Sequence, residues 1–229
     1  MILWYTVQET MYFKDQPVSF LDISLEHTFN INTMSTLIFD IETIGENFDA
    51  MDETTQHMLT RWLKEETMDE ETYQSKLEDI KHGLGFSPFT GEVVAIALLD
   101  YETNKAAVYF QAPGEDHGSF EEDGVTYRQM GEAEMLEQFW KVTERYNQFV
   151  TFNGRGFDVP FLNIRSAVHH VRPAKDLLSN RYLGMQKFDA KHFDLYDLFT
   201  FYGAVWRNRP SLHIACRAFG ITSPKQDGI

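Results

Sequence analysis

Two short segments of this 229-residue chain hold residue types that could carry out chemistry. In Leu37-Ile-Phe-Asp-Ile-Glu42 a β-rich run meets two acids one residue apart. Strand side chains alternate between faces, so Asp40 and Glu42 share one face while Leu37, Phe39 and Ile41 share the other. Neighbouring carboxylates raise one another's pKa, a cost that a bound cation offsets, and all-oxygen ligation favours Mg²⁺ or Mn²⁺. The plainer alternative is a pair of solvated acids at a strand end.

The second segment is Phe152-Asn-Gly-Arg-Gly-Phe-Asp-Val-Pro-Phe161, where a strand runs into a Gly-rich turn and Asp158 opens a helix. Asp is a favoured helix cap and Pro suits a first turn, so Asp158 reads either as a cap or as a further functional carboxylate. The turn also holds Arg155 and the aromatic Phe157, and its two glycines let backbone approach a ligand. Bases stack on aromatics, and phosphates favour amides and Arg.

The elements that must position these residues follow from periodicity. Residues 1–33 show no sustained period and read as an N-terminal extension, with Met34 a candidate physiological start. A buried strand spans 36–43. From 50 to 81, Met51, Met58, Leu59, Trp62, Leu63, Tyr73, Leu77 and Ile80 fall at helical spacing among many acids, which predicts an acidic helical insertion. Strands at 91–100 and 106–111 form a hairpin with Glu102, Thr103 and Asn104 in its turn. Residues 113–131 read as a surface loop. An amphipathic helix covers 132–146, a strand 148–152, a helix 158–169, a short strand 192–195 and a last helix 211–219 closed by Gly220. This order predicts an α/β fold, a mixed β-sheet flanked by helices, in one domain over 34–229.

Composition narrows the classes. With 43% hydrophobic and 14% aromatic residues the chain can bury a core, which excludes disorder. A single cysteine, Cys216, excludes a disulfide framework or multi-cysteine metal site and reads as a small core residue. No apolar run approaches the roughly 18 to 20 residues that span a bilayer. No basic stretch precedes the apolar 1–7, so a cytoplasmic protein with no membrane partner is expected. His169, His170, His192 and His213 show no ligand spacing, and His169-His170 read as a helix end. The formal net charge of -15 argues against a phosphate-rich partner, but it is unevenly spread. Residues 1–147 carry 9 Lys and Arg against 29 Asp and Glu, and residues 148–229 carry 11 against 6.

Taken together, Phe39-Asp-Ile-Glu-Thr43 and Asn153-Gly-Arg-Gly-Phe-Asp158 resemble the first two motifs of the DEDD 3'-5' exonucleases, which have an RNase H-like fold. Over about 35–229 the chain is similar to stand-alone bacterial proteins called predicted 3'-5' exonucleases related to the exonuclease domain of family-B DNA polymerases. Segments like 91–96 and 211–220 occur there in the same order. The resemblance implies two Mg²⁺ or Mn²⁺ ions held by Asp40, Glu42 and Asp158, with Thr43, Asn153, Arg155 and Phe157 contacting the substrate and Arg155 near its phosphates. That substrate would be the 3' end of a single-stranded nucleic acid, DNA rather than RNA. The family's third motif, Tyr-x3-Asp, should lie beyond the 211–219 helix, and no Tyr-x3-Asp follows Asp158 here. The resemblance therefore implies a fragment ending before that motif, weakly active or inert alone, with neither Asp194 nor Asp197 standing in. Two rival expectations are a catalytically inactive RNase H-like nucleic-acid-binding module and an acidic protein-interaction domain.

Overall fold

A computed structural model describes residues 34–65, 69–206 and 210–223, and the expectations for residues 1–33 lie outside these. In chain order the elements are β1 (Thr36–Gly45), α1 (Glu53–Glu65), α2 (Glu70–Gly83), β2 (Gly91–Asp100), β3 (Lys105–Phe110), β4 (Ser119–Glu122), β5 (Val125–Gln129), α3 (Glu132–Thr143), β6 (Gln148–Thr151), α4 (Asp158–Val168), β7 (Lys191–Asp194), α5 (Leu195–Phe199) and α6 (Leu212–Ala218). The strands form one mixed sheet in the order β4-β5-β3-β2-β1-β6-β7. β1 runs antiparallel to β2 and parallel to β6, which is parallel in turn to β7. No helix among the described residues is long and apolar enough to cross a membrane.

Alternation in β1 sorts its side chains as expected. Leu37, Phe39 and Ile41 are buried, and Phe39 meets Phe139 of α3 edge-on at 5.2 Å between ring centroids. The stripe Leu136, Phe139, Trp140 and Thr143 is buried as the amphipathic pattern requires. Trp140 Nε1 donates to Ser166 Oγ of α4 at 2.8 Å, tying the two helices together. The acidic insertion forms α1 and α2. Asp69 caps α2 by accepting the Thr72 N–H at 2.8 Å.

Residues 113–131 differ from the expected loop, because they contain the β4–β5 hairpin. Its turn residues Asp123 and Gly124 both have positive φ, 51° and 80°, the geometry that Asp-Gly favours in a two-residue hairpin. Across the ladder Phe120 opposes Tyr127, with rings stacked at 4.9 Å. Acid content concealed a local hairpin signal. The short α5 was also not anticipated.

Glu132 holds α3, α4 and β2 in register. Its buried carboxylate accepts the Val93 N–H at 2.8 Å, two bonds from Arg165 at 2.9 and 2.6 Å, and a contact from His169 Nε2 at 2.5 Å. His169 thus ends its helix as expected while reaching across to α3. Burial pushes the Glu132 carboxyl up, but Arg165, the Val93 amide and His169 outweigh it and hold the group below its ordinary range. Replacing Glu132 with Gln leaves Arg165 with a neutral partner in a mostly buried place, and we expect a loss of about 3 kcal/mol in urea unfolding. A loss near zero would show that the cluster does not hold the helices.

Candidate active site

β1 outruns its parallel neighbour, and the site lies in the gap. Pairing between β1 and β6 extends from Thr36–Gln148 to Ile38–Val150. β6 ends at Thr151 and the chain turns away. The Ile41 N–H instead finds Asp158, whose Oδ1 accepts it at 3.2 Å. The crevice at the carboxyl ends of diverging parallel strands is where open α/β sheets bind ligands. A register irregularity between Glu42 and Thr43 bends β1 just past its acids.

Asp158 is not a plain helix cap. Phe157 occupies the cap position of α4 with no side-chain capping bond, while the Asp158 carboxyl is buried and turned to β1. There it shares a hydrogen bond with Asp40. Burial, then the Asp40 charge and this hydrogen bond, push Asp158 well above the ordinary carboxylate range, outweighing the opposing Ile41 amide. Two acids 118 positions apart in sequence are thus in contact. Asp40 is half-buried, and Glu42, on the same face of the strand, is exposed. Among the described residues no three His, Cys, Asp or Glu side chains converge closely enough to hold a metal. The donor set in contact is two hard carboxylates, which need either a proton or a cation between them.

The turn before Asp158 is built from β7. Asp194 accepts the N–H groups of Asn153 at 2.8 Å and Arg155 at 2.9 Å, and that of Tyr196 at 3.0 Å, where it caps α5. Asn153 is thereby held at φ 63°, a left-handed conformation that Asn tolerates. Below the turn, Leu177 O can only accept, so His192 carries its proton on Nδ1 (3.1 Å) and its Nε2 accepts the Thr151 hydroxyl at 2.8 Å. The Thr151 oxygen then accepts the Gly154 N–H at 3.2 Å. Any side chain at 154 would collide with Thr151.

The remaining expected site residues divide. Asn153 is exposed, and half-buried Phe157 packs against Phe161. The Thr43 hydroxyl donates to Gly85 O at 2.7 Å. Arg155 braces the turn from within: Nη1 donates to Leu177 O at 2.7 Å and Nη2 to Leu178 O at 3.1 Å. Sequence reasoning passed over Asp194 and His192 as site residues. For Asp194 the available signal was an acid closing a strand immediately before a helix, a capping pattern.

A mixed sheet flanked by helices, with two acids meeting where β1 and β6 part, defines an α/β domain with a carboxylate crevice at its strand ends. The family model described as "Predicted 3'-5' exonuclease related to the exonuclease domain of PolB" matches residues 91–225, more than half of the chain, and the chain belongs to that family. The matched span includes Asp158 and begins after the strand of Asp40 and Glu42. DNA polymerase 1 of Saccharolobus solfataricus is 25% identical over 142 residues, covering 56% of this chain and 15% of that protein. The solved family B DNA polymerase of Pyrobaculum calidifontis is 16% identical with a TM-score of 0.45, covering 83% of this chain and 19% of that one. The chain thus spans under a fifth of either relative.

Asp194→Ala leaves three backbone donors without their acceptor, and we expect a loss of about 3 kcal/mol in urea, with Asp194→Asn losing less because one oxygen remains. Burial lowers His192 from its ordinary 6.5 to about 4. Between those values the unfolded chain binds a proton that the folded one refuses, so stability falls as pH drops from 6.5 towards 4, by roughly 3 kcal/mol from this group. Above 6.5 the group contributes nothing. Stability curves of the wild type and His192→Gln should converge on acidification; parallel curves would exclude the histidine as the source.

Proposed function

We propose that this chain is a 3'-5' exonuclease domain that hydrolyses phosphodiester bonds from the 3' end of a single-stranded nucleic acid, DNA before RNA, in the cytoplasm. Asp40, Glu42 and Asp158 would hold two Mg²⁺ or Mn²⁺ ions. The observation that supports this most is the contact between Asp40 and Asp158, one acid from each motif, at the carboxyl ends of β1 and β6.

The residues fit a divalent cation in donor chemistry. A carboxyl pushed far up by burial and by a second carboxylate is relieved by a cation, and Glu42 projects from the same strand face. Divalent ions bound there would supply a water acidic enough to attack the phosphate and would stabilise the leaving 3'-oxygen. Asp158 comes to this position already fixed by the Ile41 amide. Asn153 and Phe157, at the mouth of the turn, would position the terminal nucleotide. Arg155 acts on the site indirectly, through the shape of the turn. Metal-dependent stability is the sharper readout, because it reports on the carboxylates directly.

Without divalent ions, Asp158→Asn removes a buried acid that destabilises the folded state increasingly as pH rises above the ordinary carboxylate range. At neutral pH the variant should therefore melt no lower than the wild type. Added Mn²⁺ should raise the melting temperature of the wild type and not of Asp158→Asn or Asp40→Ala. Trimming of a 3'-labelled single strand, where measurable, should fall at least 100-fold in Asp40→Ala. A wild type that neither responds to Mn²⁺ nor engages a single strand would overturn the proposal. The absence of a three-group metal cluster among the described residues favours one other reading, an inactive nucleic-acid-binding module. That module would bind single strands without regard to Mn²⁺ or to Asp40→Ala.

A further inference from the structure

The end of β1 is in contact with a third segment that belongs to neither motif, the short helical turn Leu84–Phe86 and the residues leading into β2. Besides the Thr43 hydroxyl on Gly85 O, the Glu46 N–H donates to Thr90 O at 2.8 Å, and the Thr90 hydroxyl donates back to Leu84 O at 2.9 Å. The two backbones nearly touch. A Cβ on Gly45 would lie 2.6 Å from Leu84 Cβ, one on Gly85 3.0 Å from Gly45 N, and one on Gly91 2.9 Å from Ile44 O. Three glycines from two strands and the turn therefore allow a close crossing, which a side chain at 45 or 91 would push apart. The turn is locked in place within a few residues of Glu42.

What it holds out is apolar. Phe86 is 74% exposed and Phe89, three residues on, 75%. The Phe86 ring meets the Phe157 ring edge-on, with centroids 6.4 Å apart and planes at 63°. Phe157 immediately precedes Asp158, so one aromatic wall joins the tip of this turn to the carboxylate crevice. A phenyl ring held in water by a rigid turn contributes little to folding, whereas a solvent-facing ring beside a strand-end site offers a stacking surface.

We infer that Phe86, backed by Phe157, is a stacking platform for the bases at the 3' end of a single strand, placed beside the carboxylates by the Gly45–Gly85–Gly91 crossing. This rests on reading the site as one that takes a strand end. A base has a π-face whatever its identity, so the platform selects unpaired bases over paired ones and shows little sequence preference. Bases enclosed in a duplex cannot present their faces to it.

Fluorescence anisotropy with a labelled single-stranded oligothymidylate, in EDTA to prevent cleavage, tests it. Phe86→Ala should bind roughly 5- to 100-fold more weakly than the wild type with an unchanged melting temperature, and Phe86→Trp should restore binding. A strand with abasic nucleotides at its 3' end should bind the wild type about as weakly as the intact strand binds Phe86→Ala, and combining the two changes should add little. Equal binding by Phe86→Ala and the wild type, or losses that multiply, would overturn the platform while leaving the exonuclease reading in place. No binding of the strand by the wild type would overturn the platform, and would overturn the exonuclease reading as well if Mn²⁺ also left its melting temperature unchanged.

Discussion

The site depends on one hydrogen bond, from the Ile41 amide of β1 to the carboxyl of Asp158. A β-strand that continues past its partner leaves backbone donors that must be satisfied. Here the missing neighbour is replaced by the first residue of a helix, and that replacement brings a second acid against Asp40. The same bond sets where α4 starts and how closely the 152–157 turn must approach the sheet. It also explains why the acids are tolerated. A carboxyl given a backbone donor is partly compensated for burial, and the uncompensated remainder appears as a proton affinity far above the usual range.

Support for this arrangement comes from the edge of the sheet. β7 is an outer strand, yet its last residue, Asp194, organises the turn between β6 and α4, and His192 two residues earlier lies beneath it. The chain Leu177 O, His192, Thr151, Gly154 is satisfied only while the imidazole is neutral, because a second ring proton would face the Thr151 hydroxyl, which then could not donate. Arg155 adds a second hold on the 177–178 backbone. Nearby Asp197 is balanced by a two-pronged pairing with Arg181. The motif turn is therefore rigid because residues some 20 to 40 positions downstream enclose it.

This is also where legibility in the sequence ends. Strand period and helix period placed β1, β2, β3, α3, β6 and α4 within a few residues, because each buries one face and the pattern of burial is written locally. The pairing of Asp40 with Asp158 was accessible only through the order of two motifs, since no local rule brings residues 118 positions apart together. The partners of Arg155 were hidden for a related reason: a cation in a Gly-rich turn gives no local sign that the carbonyls of Leu177 and Leu178 lie within its reach. The β4–β5 hairpin was missed although Asp123-Gly124 announced it, because its exposed, acidic strand β4 lacks the apolar alternation that a half-buried strand shows.

The uneven charge of the chain takes on a different meaning once the cations are placed. Residues 148–229 are net basic, yet Arg165 is held by Glu132, Arg181 by Asp197, and Arg155 by backbone carbonyls. Three of the eleven Lys and Arg there are thus engaged internally, with Arg165 and Arg155 fastening α4 and the motif turn. Proteins that hold nucleic acid mainly through Lys and Arg release counterions and lose affinity steeply with salt. On the proposed reading, carboxylate-bound cations and aromatic faces would supply the remaining contacts, and the affinity would come from coordination and stacking. These act on one phosphate and one or two bases rather than along a backbone. On the same reading the acidic first 147 residues would repel the rest of a long duplex, and an interaction that survived such repulsion would be confined to a strand end.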